Sequence, residues 1–324
     1  MAYRFLPLLA LAAALSASPV VAAGDLTGIW SNTSLTLLTR PLGTPLVVSE
    51  ADARGRAQRI ANALAADLRP TDPKAGAPPP GSIGQPVDSF WSAAGDIYAR
   101  INSQYRASWI VEPADGQLPL TTAGKARAAA AALTRSRLDP IGPEHLAPND
   151  RCLIASRGSG GPGMLNNIYN NYYQIVLTPA TAVIVIEMVH DARIVPIFSS
   201  KAAAQASHGP PVLQRWLGDS TGWWEGQTLV VETTNVNAQQ GAFGPIYLSA
   251  KGRVTERFTR ESADRIAYEF TVEDAIYYTR LWRAEMSLNA TKDPIYEFAC
   301  HEGNYAMSGI LGGARAVERA AIGQ

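Results

Sequence analysis

With 324 residues, 28 basic and 28 acidic side chains, the chain is long enough to bury a sizeable core and has no net charge with which to hold a polyanion. The balance excludes a nucleic-acid surface, and a core of this size requires neither a structural metal nor a set of disulfides. Its two cysteines, Cys152 and Cys300, are too few to form a metal site by themselves.

Residues 1–23 combine Arg4, an apolar run from Phe5 to Leu15 and small residues ending at Ala22 and Ala23, the pattern of a secretory signal peptide cleaved near Ala23. Its removal leaves 27 basic and 28 acidic residues. The apolar run is shorter than the roughly 20 residues of a membrane span, and no later stretch reaches that length. Export to the periplasm or the medium is expected, without membrane insertion. In an oxidising compartment the two cysteines are expected to form one bridge, worth about 5 kcal/mol in the chain-entropy model. Two separate buried thiols are the alternative.

The remainder, residues 24–324, reads as a single domain. Gly28-Ile29-Trp30 resembles the first strand of lipocalin-like barrels, and an ordinary core tryptophan accounts for it equally well. Ser49 is placed to cap a helix through Ile60, Leu64 and Leu68, weakened by Gly55. The proline-rich stretch 70–86 cannot carry regular hydrogen-bonded structure and reads as a surface loop. Thr122 is expected to cap an alanine-rich helix to about Arg137.

From Gln174 onward, alternating apolar runs are separated by turns at the spacing of antiparallel sheet. Strands are predicted over residues 174–177, 182–190, 193–198, 228–234, 253–260, 265–273 and 277–288, with 296–305 closing the sheet. Along 265–273 the residues Ile266, Tyr268, Phe270 and Val272 share one face, with Glu269 and Glu273 on the wetter side. A last helix over 307–318 turns Ile310, Leu311, Ala314 and Val317 inward. The fold class is therefore β-dominated α+β: an antiparallel lipocalin-like β-barrel over about 172–303, with N-terminal helical elaborations and a C-terminal helix.

Several blocks also resemble the signature segments of a family of secreted bacterial proteins of unassigned function. They are EMVHDARIVP from Glu187, RWLGDS from Arg215, WEGQTLVVETTN from Trp224, ERFTR from Glu256 and ACHEGNY from Ala299. The similarity spans about 106–315 and implies membership without implying a chemistry, beyond a lipocalin or calycin-like barrel. The family usually has a proline soon after its Glu-Asp pair, whereas Ala275-Ile276-Tyr277-Tyr278 follow Glu273-Asp274 here, a departure expected to alter a turn or a pocket wall.

Candidate chemistry centres on His190 and His301, since imidazole titrates near neutral pH and serves as general acid or base. Asp191 or Glu187 is the expected orienting carboxylate, and Arg193 the stabiliser of a developing oxyanion. Glu187 follows four apolar residues and needs a partner such as Arg193, Arg257 or Arg280. Structural roles at a strand end and a turn are the alternatives for the two histidines; His145 and His208 read as solvated loop residues. Substrate contacts are expected from Asn167, Tyr169, Asn171, Tyr173, Trp224, Glu273, Tyr278 and Trp282, with the glycine-rich stretch 158–163 as a movable lid.

No nucleophile elbow, zincin helix, phosphate-binding loop or dinucleotide fingerprint is present. The expected protein is a secreted enzyme acting on a small, partly apolar organic molecule by cofactor-independent acid-base chemistry, as lyase, isomerase or hydrolase. A divalent metal between His190 and His301 stays open, and the oligomeric state is not legible. The alternatives are a lipocalin-like carrier without catalysis, and an interaction module docking through stretch 70–86 and an exposed Trp223-Trp224 pair.

Overall fold

A computed structural model describes residues 24–67, 74, 76, 98–135, 140–240 and 244–322. The expected signal peptide and nearly all of the proline-rich stretch lie outside the described residues. The described chain is β-dominated and built on a closed barrel of nine strands. These are β1 (Gly28–Ser31), β6 (Tyr172–Leu177), β7 (Thr181–Ile186), β8 (Asp191–Phe198), β9 (Asp219–Glu225), β10 (Thr228–Thr234), β11 (Arg253–Ser262), β12 (Arg265–Glu273) and β13 (Trp282–Ala290). Strand β1 closes the ring by pairing with both β6 and β13. A tenth strand, β5 (Ile110–Glu112), continues the sheet outward from β13. The short strands β2 (Val47–Val48), β3 (Arg100–Ile101) and β4 (Gln104–Arg106) form a separate three-stranded sheet.

The all-antiparallel expectation fails at one seam, because β8 and β9 run parallel through Ile197 to Gly222 and Phe198 to Trp223. The reason is parity: a closed ring with an odd number of strands cannot alternate direction throughout. A parallel pair needs a crossover rather than a tight turn. Here the crossover contains α3 (Lys201–Ala206), whose cap Ser200 accepts the Ala203 N–H at 3.2 Å. Ala204 of α3 packs with Trp223 and Val230 in a small cluster on the outside of the barrel.

Alternation works as expected on β12, where Ile266, Tyr268, Phe270 and Val272 are all buried. With core-facing residues of the neighbouring strands they form one contiguous cluster inside the barrel. Trp30 belongs to it; its indole N–H donates to the Leu26 carbonyl at 2.9 Å, and the Arg260 guanidinium covers the ring. Helix α1 (Glu50–Asp67) starts after Ser49, whose Oγ accepts the Asp52 N–H. Helix α2 (Thr122–Arg135) is capped by Thr121 instead of Thr122: the Thr121 Oγ1 accepts the Gly124 N–H at 3.0 Å.

Other expectations need correction. Residues 277–281 are turn and loop, so β13 begins only at Trp282. The strand predicted over 182–190 ends at Ile186, and the chain then turns a corner in which Val189 and His190 hold φ of 65° and 55°. Residues 296–304 form no strand at all; β1 closes the sheet in their place, and the chain runs irregularly into α4 (Tyr305–Ile322). That segment is nevertheless anchored, because Cys152 and Cys300 are disulfide-bonded across 148 residues. Of the apolar stripe on α4 only Ala314 is buried, while Ile310 and Val317 stay exposed. The helix is tethered instead by Arg315, whose Nη2 donates to the Pro140 carbonyl at 3.2 Å.

Candidate functional site

Two polar arrangements stand out, one inside the barrel and one at its β10–β12 side. Inside, Arg193 of β8 and Glu256 of β11 form a fully buried ion pair with 1% and 0% of their side chains exposed. The Glu256 Oε1 accepts Arg193 Nη1 at 2.9 Å, the Tyr268 hydroxyl at 2.6 Å and the Gly163 N–H at 3.2 Å. Its Oε2 accepts Arg193 Nη2. Burial works against the Arg193 charge, and the adjacent Glu256 carboxylate outweighs it, holding the guanidinium above its ordinary range. Burial, reinforced by the Glu256 charge, pushes the Tyr268 phenol well above its usual value.

The glycine-rich stretch 158–163, expected as a movable lid, is inserted into this interior. Met164, which follows it, is fully buried and donates its N–H to the Tyr268 hydroxyl at 2.8 Å. A methyl group at Gly163, where φ is +72°, would lie 2.8 Å from the Ile246 Cδ1; one at Gly161, where φ is +81°, would lie 2.8 Å from the Arg193 Nη1. Only glycine fits either place. A small cavity of about 20 Å³ beside the insert, lined among others by Asn149, Gly161, Leu217 and Ile246, shows how little room is left there.

Most of the expected site residues have structural partners. Glu187 is buried and accepts the backbone N–H of Tyr172 at 3.3 Å and of Tyr296 at 3.2 Å; among the described residues no arginine pairs with it. Asn171 accepts hydroxyl donors from Ser31 and Thr33, and the amide of Asn167 points at Ser156 and Met188. The Tyr173 hydroxyl donates to the Ser159 carbonyl at 2.8 Å, and Trp282 packs edge-on against Phe270 and Tyr278. Tyr169 and Trp224 are partly exposed, whereas Trp223 is buried beside α3, so the tryptophans form no exposed pair. His190 and His301 are both exposed, and they line neither the cavity beside the insert nor the larger one at the β10–β12 side. Asp191 is half-buried, and that burial raises its carboxyl above the ordinary value despite a hydrogen bond from the Ala192 N–H. Of the expected contacts, Glu273 and Tyr278 do meet in one cavity.

That cavity, about 370 Å³, lies between the turn leading into β11 and the loop that follows β12. Asp274 fastens these two segments together. Its Oδ2 accepts the Ser249 N–H at 2.5 Å, and its Oδ1 accepts the N–H groups of Ile276 and Tyr277 at 2.9 and 3.3 Å. Gly252 packs directly on this clasp, since a methyl there would lie 2.8 Å from the Asp274 Oδ2. The Tyr278 hydroxyl accepts the Tyr247 N–H at 2.8 Å, fixing the ring at the cavity wall. The walls are apolar at Ala275, Ile276 and Leu281, and cationic at Lys251, Arg253 and Arg280. Ala275 and Ile276, which follow the Glu273-Asp274 pair, therefore belong to this wall.

Arg253 connects the cavity to a chain of polar groups under α3. Its Nη2 lies 3.2 Å from Glu273 and its Nη1 3.7 Å from the buried Glu232, while its Nε is buried without an acceptor. Glu232 also meets the Gln205 amide at 2.9 Å and the His208 Nε2 at 3.4 Å. The His208 Nδ1 lies 3.2 Å from Asp219, which in turn accepts the Gly209 N–H at 2.7 Å. His208 is thus no solvated loop residue: only 12% of its side chain is exposed. Among the described residues no group of three or more histidines, cysteines or carboxylates could hold a metal ion, and no helix is long and apolar enough to cross a membrane. Comparison with protein-family models, with curated proteins and with solved structures gave no match.

Proposed function

We propose that this chain is a small-molecule-binding protein whose site is the cavity between the turn at 249–253 and the loop at 274–281, outside the barrel interior. The carrying observation is the cavity itself: about 370 Å³, walled by Ile276 and Leu281 on one side and by convergent polar groups on the other. Ligand sites combine an apolar wall with a few placed polar groups in volumes of about 300–1,000 Å³. A carrier holding its ligand inside a lipocalin-like lumen fits less well, because the inserted 158–163 stretch and the buried aromatics occupy that space. Export through the signal-like residues 1–23 belongs to the same reading and is supported by the disulfide, which suits an oxidising compartment. The test is a thermal-shift screen of small organic molecules on the full mature chain and on Ala275→Trp, which puts an indole into the cavity. Ligands that stabilise the parent and lose their effect on the variant support the site; ligands that stabilise both equally place it elsewhere.

An acid-base enzyme using His190 has one observation in its favour. Val189 and His190 both hold positive φ, a conformation that a β-branched residue adopts only under constraint and that clusters at functional sites. Full turnover of an identified substrate by both His190→Ala and His301→Ala would end that reading.

A further inference from the structure

Resting on the cavity reading above, we infer that its ligand is an organic carboxylate with an apolar body. What selects this class is the charge left over after internal pairing. Two carboxylates and three cations line the cavity. Asp274 is surrounded by the three backbone N–H donors of its clasp, so its oxygens are already used. Glu273 is matched by Arg253, which also lies near the buried Glu232. Lys251 and Arg280 remain; among the described residues neither has an ion-pair partner.

A second observation points the same way. Lys251 and Arg280 both expose their side chains at this cavity, and the Arg280 guanidinium is built to donate along a planar fork. Among the described residues no carboxylate of the chain neutralises these two charges, so this wall favours an acceptor of negative charge. A carboxylate supplies two coplanar oxygens suited to the Arg280 fork and to the Lys251 ammonium. The opposite wall, Ala275, Ile276 and Leu281, offers nothing to a second charge and suits an aryl or alkyl body. Inorganic anions satisfy the cations alone, and neutral apolar molecules the wall alone. Only a molecule with both parts uses the whole cavity.

Calorimetric titration of the full mature chain with 4-phenylbutyrate, its neutral amide 4-phenylbutyramide and inorganic phosphate separates these terms. The carboxylate is expected to bind at least about tenfold more tightly than either. Lys251→Ala with Arg280→Ala, both on exposed side chains, is expected to erase the preference for acid over amide while leaving the fold intact by circular dichroism. Equal binding of acid and amide by the parent overturns the charge inference and leaves the cavity reading standing. Phosphate binding as tight as that of the carboxylate overturns the apolar part. Undiminished carboxylate binding by Ala275→Trp overturns both the inference and the cavity reading, whereas the absence of any carboxylate binding up to about 1 mM overturns the inference alone.

Discussion

Replacing Glu256 by glutamine removes one charge from a place that water does not reach, and the consequence can be worked out from its contacts. The carboxylate receives four donors: two from Arg193, one from Tyr268 and one from Gly163. A glutamine offers a single acceptor oxygen and brings two donors of its own. If the oxygen takes the Oε1 position, it keeps Tyr268, Gly163 and the Arg193 Nη1, and the new amide N–H groups face the Arg193 Nη2. Arg193 Nη2 then retains only long contacts to Ser220 at 3.5 Å and Thr233 at 3.3 Å, neither of them charged. Breaking one side of a buried pair costs about 3–5 kcal/mol, whereas replacing both sides with well-packed apolar groups is often near neutral. Urea unfolding is therefore expected to show a loss of about 3–5 kcal/mol for Glu256→Gln, and a much smaller loss for Arg193→Met combined with Glu256→Leu than the sum of the separate changes. A loss below about 1 kcal/mol for Glu256→Gln, or additivity in the double variant, would refute the assignment of this pair as a coupled unit of the barrel interior.

Three further outcomes follow from other parts of the fold. Gly163→Ala is expected to cost about 2–4 kcal/mol in the same assay, since its methyl meets Ile246 at 2.8 Å and Phe270 at 3.2 Å with φ at +72°; an unchanged midpoint would mean that the insert is loosely held. Cys300→Ser opens a bridge spanning 148 residues and should lower stability by about 5 kcal/mol, with the parent falling to the same value under reductant. For Asp191, burial raises the folded-state pKa above the unfolded one, so between the two values the folded chain holds more protons and stability falls as pH rises. The penalty is fully present above the folded pKa. Asp191→Asn should accordingly raise the melting temperature at neutral pH and flatten its acid dependence, and an identical pH profile for parent and variant would contradict this.

How far the sequence can be read depends on the range of the interactions involved. Strands β11 and β12 are legible because alternation is a local signal: the buried Ile266, Tyr268, Phe270 and Val272 recur every second residue. The disulfide is legible because the chain has only two cysteines to pair. The parallel seam is hidden, because strand direction at β9 depends on the number of strands in the ring and on a six-residue helix too short to stand out in the pattern. His208 misleads for a similar reason. Its loop of Ser, Gly and Pro reads as solvated, and the carboxylates that surround it, Asp219 and Glu232, arrive from β9 and β10 only when the barrel closes. Residues 158–163 carry the glycine signature of mobility, which is also the signature of close packing against Arg193 and Phe270. Of the expected contacts, Glu273 and Tyr278 fall in the cavity. Its unpaired cations Lys251 and Arg280 carry no local signal, because a surface lysine or arginine is unremarkable until its surroundings are known.

The most direct measurement is a crystal structure of residues 24–324 soaked with 4-phenylbutyrate. Ligand density is predicted between the 249–253 turn and the 274–281 loop, with the carboxylate at Lys251 and Arg280 and the ring against Ile276 and Leu281. Density at another place, or an ordered ligand with its ring turned toward the cations, would contradict the assignment of this cavity as a carboxylate site.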